Sequence, residues 1–291
     1  MGIRDFALGG DVVRPSAALI LFCVFGAMVA PALASDPGIL QVRIYDTDRK
    51  TVTAARVNVI GSDNAFYEPD SSANPLAPFS LKRAGNRSNT GPLRYYGSFF
   101  YTEGNFEVKL PTGIARVEIW KGYSYYPIVL QAKIALGQTT KAEAVLQRAV
   151  DMPRYGWQSS DVHLHPDRAT PESDHRVVQV LSAEDIELGY IGTPRTAKGY
   201  GINSLYSEGR YQVVSGREIT TPNLGHINFF MVDNLIPMLR NGSSPPGTPL
   251  AAMYDQVRDA HGAMQHNHGG YGMEIYADVV MGKSDWVELA L

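Results

Sequence analysis

The sequence predicts two domains in series, an all-β sandwich followed by a partial α/β domain, behind an export signal. Three observations predict this. Residues 37–148 carry short apolar/polar alternating runs between turn residues, with no helical period. Residues 153–291 alternate strand-like runs with helix-start signals. Residues 1–34 have the charge and apolar layout of a targeting segment.

Arg4 and Arg14 precede the uncharged run Ala17–Ala30, and Ala32-Leu33-Ala34 supplies small residues at a cleavage position. The run is shorter than the roughly 20 residues that span a bilayer, so it reads as a signal cleaved after Ala34 rather than as an anchor. No stable membrane span is expected after cleavage. The one cysteine, Cys23, lies inside the signal. The mature chain therefore has neither disulfide nor thiolate ligand, which fits a bacterial periplasm or exterior. A length of 291 residues holds two ordinary domains, and a hydrophobic share of 44% excludes wholesale disorder. Net charge is -3, and no Lys/Arg run forms a phosphate-binding face, so nucleic acid is not the expected partner.

In the first domain Leu40, Val42 and Ile44 alternate with Gln41, Arg43 and Tyr45, giving a half-buried strand. Arg56–Ile60, Phe99–Tyr101, Phe106–Leu110, Ala115–Trp120, Tyr123–Ile134 and Thr139–Gln147 follow as strands. Residues 61–93, rich in Ser, Asn, Pro and Gly, form a long loop region. The runs "VRIYDTDRKTVTAARVNVIG" and "GNFEVKLPTGIARVEIWKGYSYYP" resemble the carboxypeptidase-regulatory or transthyretin-like sandwich family. The resemblance implies an accessory module without chemistry of its own.

After Ala149–Pro153 the chain changes character. Thr170-Pro171-Glu172 is a helix start, with a hydroxyl N-cap, proline at the first position and an acid near the positive helix end. That helix is expected to run to about Ala183. Thr248-Pro249-Leu250 repeats the signal, and Gly262 marks the stop. Tyr211–Val214, Ile227–Val232, Ala263–His266 and Trp286–Leu291 read as strands of a parallel sheet.

The sharpest feature is Asp161-Val-His163-Leu-His165. On a strand, residues two apart share a face, so Asp161, His163 and His165 line up. Two imidazoles so held bind one divalent cation, with Asp161 as ligand or as partner of an imidazole N–H. The competing reading is a solvated polar face. Glu218 lies at a strand end, where α/β sites gather, although an isolated glutamate is commonly just exposed. His261, His266 and His268 crowd near another strand end. His261 reads as a helix-terminal residue, His175 as a solvated helix face, and either His266 or His268 remains open as a ligand.

The segment "GWQSSDVHLHPD" resembles the opening motif of the polymerase-and-histidinol-phosphatase (PHP) metallohydrolases, in particular their carbaryl-hydrolase-like branch. The likeness continues through Ala183-Glu-Asp185, Ser215-Gly-Arg-Glu218, Gly225-His226, Asn267-His268 and Gly282–Leu289. It implies a distorted β/α barrel, an upstream sandwich, and one or two divalent ions (Zn, Mn or Fe). It also implies metal-activated water acting on a small ester, carbamate, amide or phosphoester substrate. His163, His165, Glu218 and His268 match metal ligands, Glu218 being one that can bridge two ions. His226 matches a position near the site that is a ligand or substrate contact, and Asp161, Asp185 and His226 would orient ligands or shuttle a proton.

Two departures bear on activity. Thr193-Pro194-Arg195 stands where many such proteins carry Thr-Asp-His, and the sequence stops at Leu291, before a late Asp-x-His motif. Such a barrel takes roughly 200 residues or more, so the second domain is expected to be partial, truncated or completed by a second chain. The alternative function is a catalytically inactive exported binding module, and a third is a purely structural envelope protein.

Overall fold

The computed structural model describes residues 37–46, 50–82, 97–166, 170–192, 205–221, 225–231, 249–268 and 274–288. The expected export signal, Thr193–Arg195 and Leu291 lie outside these residues. Residues 35–291 form one compact unit. No described helix is long and apolar enough to cross a membrane.

The first part contains β1 (Gly38–Asp46), β2 (Thr51–Val52), β3 (Ala55–Ile60), β4 (Phe66–Tyr67), β5 (Phe100–Thr102), β6 (Asn105–Leu110), β7 (Gly113–Trp120), β8 (Tyr125–Tyr126), β9 (Ile128–Ile134) and β10 (Thr139–Arg148). One sheet runs β2-β1-β10-β8 with β6 also on β1, and the other runs β4-β3-β7-β9 with β5 also on β3. Their facing sides interdigitate in one core. Leu40, Val42 and Ile44 from β1 meet Val57 and Val59 from β3 and Val117 and Ile119 from β7, with Phe100 against Phe106. Each such buried side chain contributes roughly 1.5–3 kcal/mol. The alternation seen in the sequence is the physical cause, since every second residue of β1 and β6 faces inward.

The second part contains β11 (Ser160–Leu164), α1 (Pro171–Ala183), β12 (Leu188–Gly192), β13 (Leu205–Glu208), β14 (Tyr211–Thr221), β15 (Gly225–Phe230), α2 (Leu250–Asp259), β16 (Ala263–Asn267), α3 (Ile275–Val280) and β17 (Trp286–Val287). The expected partial α/β barrel is not what forms. The strands make one open seven-stranded mixed sheet, ordered β11-β12-β14-β15-β16-β17 with β13 on β14. With three α-helices against seventeen strands among the described residues, the chain is predominantly β. The reason is connection length. A parallel crossover needs a dozen or more residues, but only residues 222–224 separate β14 from β15, and only Gly209-Arg210 separates β13 from β14. Both pairs are therefore antiparallel. Gly209, at φ 59°, supplies the backbone a two-residue hairpin needs.

α1 begins as its sequence dictates. Thr170 Oγ1 accepts from the Ser173 amide at 3.2 Å, and Ser173 Oγ accepts from the Thr170 amide at 3.0 Å. Val177, Val178 and Leu181 pack this helix on Ile191 and Val213. Gly189 permits the approach, because a Cβ there would lie 2.8 Å from Leu181 Cδ1. The end of α1 also docks on the sandwich. Ala183 packs with Ala54, Leu76 and Tyr101, while Glu184 accepts from Tyr101 Oη and Arg56 Nε, each at 2.6 Å. Lys121, 1% exposed, donates to Ala54 O at 3.2 Å and to the Ser182 carbonyl.

The large sheet is strongly curled. Five strand spacings of about 4.8 Å would set β11 and β17 roughly 24 Å apart if flat. Instead His163 of β11 lies 3.1 Å from Glu288, the residue after β17. Asn228 of β15 donates to Val162 O of β11 at 3.0 Å across the hollow. Tyr190, Phe230 and Trp286 form an aromatic chain across β12, β15 and β17, with centroids 4.7 and 5.7 Å apart.

Candidate metal centre

The curl brings one edge of the sheet to a focus. β11, β12, β14, β16 and β17 run in the same direction, and residues near or beyond their carboxyl ends meet the start of β15 there.

His163 and His165 approach with Nε2 atoms 3.1 Å apart. The pairing of β11 with β12 shifts register between Asp161 and Leu164, so the two rings meet edge to face rather than as a flat ladder. Glu218 Oε2 lies 3.0 Å from His165 Nε2, and its Oε1 lies 3.8 Å from His163 Nε2 and 3.7 Å from His268 Nε2. His226 Nδ1 is 3.1 Å from the same Oε1. In cross-strand register Glu218 faces Asn228, two residues from His226, which is diagonal reach. Three overlapping groups have ligand atoms within 4.8 Å of one another: His163, His165 and Glu218; His163, His268 and Glu288; Glu218, His226 and His268.

The tautomers follow from what lies behind each ring. His165 Nδ1 is 3.0 Å from Gly192 O, which only accepts, so that nitrogen carries the proton. His163 Nδ1 is 3.1 Å from a Glu288 oxygen and is protonated for the same reason. In neutral rings both Nε2 atoms then present lone pairs to each other and to the Glu218 carboxylate. Gly192 makes the packing possible, since a Cβ would sit 3.1 Å from His165 Cε1 and 3.3 Å from Glu218 Cβ. Glu218 is further held by Asn267 Nδ2 at 3.2 Å.

Five of the seven predicted site residues therefore come together: His163, His165, Glu218, His226 and His268. Asp161 stands behind them. Its Oδ1 accepts from the His163 amide at 3.0 Å, and burial, with Glu288 nearby, raises its pKa. Asp185 is elsewhere. It precedes β12 at the opposite end from Gly192, and four steps of about 3.3 Å along that strand separate the two ends by roughly 13 Å. There it accepts from Arg148 Nη1 and Tyr211 Oη at 2.9 Å and pairs with Arg210.

One backbone angle separates His268 from His266. β16 ends at Asn267, and His268 takes φ 52°, which breaks the alternation and swings its ring to Glu218. His266 is wholly buried with Nε2 unpartnered among the described residues, and burial lowers its pKa. His175 is not simply solvated, since its ring bridges Glu208 at 2.6 Å and Glu103 at 3.1 Å. Glu288 and Asn267 lie within the Gly282–Leu289 and Asn267-His268 motifs, but sequence reasoning gave neither a role in the site. The available signal for Glu288 was an acid directly following a short apolar strand at the same sheet edge.

No protein-family model and no curated protein matches the chain. Among solved structures, GBS52, the minor pilin of the Gram-positive pathogen Streptococcus agalactiae, aligns with a TM-score of 0.26 and 8% identity. That alignment covers 40% of this chain and 47% of the pilin. The chain thus spans under half of that protein's length, and a likeness this low assigns neither fold nor function.

Proposed function

We propose that the curled sheet edge is a divalent-cation site and that the protein is an exported metal-dependent hydrolase. The observation that carries the reading is the convergence of His163 Nε2, His165 Nε2 and the Glu218 carboxylate within 3.0–3.8 Å, with both imidazole protons committed behind. Lone pairs so placed repel unless positive charge sits among them. Imidazole nitrogen with carboxylate oxygen suits Zn, Mn or Fe. His163, His165, Glu218 and His268 would hold the ion, and the shared position of Glu218 leaves room for one or two.

A bound cation supplies the charge that acidifies a water and polarises a carbonyl or phosphoryl oxygen. The chain's own groups do the rest. Asp161 and Gly192 O fix the backbone and ring of the histidine pair, and Asn267 orients Glu218. His226, half-buried beside Glu218, is placed to accept or return a proton. The substrate class is a small ester, carbamate, amide or phosphoester. The ordered motifs support kinship with the PHP metallohydrolases at the level of these side chains only. The predicted signal supports a location in the periplasm or outside the cell.

The test is metal content of the purified mature chain after dialysis against zinc, manganese or iron, beside a His163→Ala/His165→Ala double variant. Retained metal that vanishes in the variant, with metal-dependent cleavage of an aryl ester or phosphoester, supports the reading. Equal metal in both proteins refutes it.

A further inference from the structure

Glu288 is the acid that the site does not need as a ligand, yet it touches two histidines in two different ways. Its carboxylate lies 3.1 and 3.3 Å from the ring nitrogen Nδ1 of His163. The same Oε2 accepts from the backbone amide of His268 at 2.7 Å. A carboxylate cannot donate, so the first contact puts the His163 proton on Nδ1 and leaves Nε2 bare toward His165 and Glu218. The second contact bonds the amide of a residue at φ 52°, a left-handed conformation that L side chains rarely adopt. That conformation is what turns the His268 ring out of strand register and toward Glu218.

We propose that Glu288 is a positioning residue, one carboxylate that sets the tautomer of His163 and pins the backbone of His268, so that both present Nε2 to the same point. The inference rests on the cation site argued above. It also decides between two uses of the His163, His268 and Glu288 group. His163 Nδ1 cannot both carry the proton it gives Glu288 and ligate a second ion beside it. The Nδ1 of His268 stands 3.7 Å from Glu288, outside hydrogen-bond range, so the hold on this residue is through its backbone. Outer carboxylates of this type, behind a ligating imidazole, typically govern 10–100-fold in metal affinity.

The experiment compares wild type, Glu288→Ala and Glu288→Gln in two measurements at pH 7.5. The first is the side-chain 15N spectrum of His163 in the metal-free protein, which reports directly which ring nitrogen is protonated. The second is Zn2+ affinity and stoichiometry by competition with a chromophoric chelator. The wild type should show His163 protonated on Nδ1. Glu288→Ala should give mixed tautomers and zinc binding weaker by 10–100-fold at unchanged stoichiometry. Glu288→Gln keeps a carbonyl oxygen for the Nδ1 proton, so it should retain the tautomer and most of the affinity, and it guards against a misfolded alanine variant. Unchanged tautomer and affinity in Glu288→Ala overturn the proposal, as does the loss of one whole zinc ion, which would make Glu288 a ligand. If the wild type binds no zinc, the cation site fails, while the tautomer measurement still decides the role of Glu288.

Discussion

Replacing Asp185 with asparagine separates the structural assignment of this residue from the catalytic one its motif implies. Asp185 is 5% exposed and sits between two guanidiniums, bonded to Arg148 Nη1 at 2.9 Å and paired with Arg210. Tyr211 Oη donates to it at 2.9 Å, and the buried Lys121 feels its charge. Its φ of 53° is one that asparagine tolerates nearly as well, so Asp185→Asn keeps shape and backbone and removes only the charge. Breaking a buried pair from one side costs about 3–5 kcal/mol, because the partner charges stay buried and uncompensated. For a unit of this size that is a fall of roughly 6–20 °C in Tm, at about 2–4 °C per kcal/mol. Urea and thermal unfolding of the mature protein would read this loss. Zinc affinity should be unchanged, since Asp185 lies at the far end of β12. A variant of near wild-type stability with lost metal binding or activity would refute the placement.

Other consequences can be checked separately. Gly192→Ala forces a methyl against His165 and Glu218; overpacking of this kind costs about 1–3 kcal/mol, and zinc affinity in a chelator competition should fall with it. Burial lowers the Lys121 ammonium to about 7, against the pull of Asp185 and Asp46. The unfolded chain holds that proton to about 10.4, so between these pH values the unfolded state binds more protons and stability rises with pH. Lys121→Met should abolish that rise in urea midpoints taken from pH 7 to 10. Asp278 is wholly buried with neither carboxylate oxygen hydrogen-bonded among the described residues, and burial, then Glu274, raise it to about 7. The folded state then binds more protons between about pH 4 and pH 7, so stability falls as pH rises through that window, and Asp278→Asn should flatten the decline.

How far the sequence carries can be seen element by element. The strands β1, β6 and β7 and the start of α1 are local events, set by alternation and by the Thr170 cap, and they form where the pattern places them. Strand direction in the second sheet is decided by connection length, and reading it as α/β alternation gave the wrong sheet. The three residues between β14 and β15 carried the decisive information. The approach of the histidine pair to Glu218 was legible from residue type and strand spacing, although Glu218 sits inside β14 rather than after it. Glu288 was not, because its partner His163 is the width of the sheet away in strand order, and only the curl joins them. Asp185 misled for the opposite reason. An acid after a helix satisfies a motif equally well when its carboxylate neutralises arginines.

The most direct measurement is X-ray absorption at the zinc edge on the zinc-loaded mature protein. A first shell with at least two histidine nitrogens at about 2.0 Å and a carboxylate oxygen is the predicted result, with the imidazole scattering lost in His163→Ala/His165→Ala. A shell of water or carboxylate oxygens alone, identical in wild type and variant, would contradict the account.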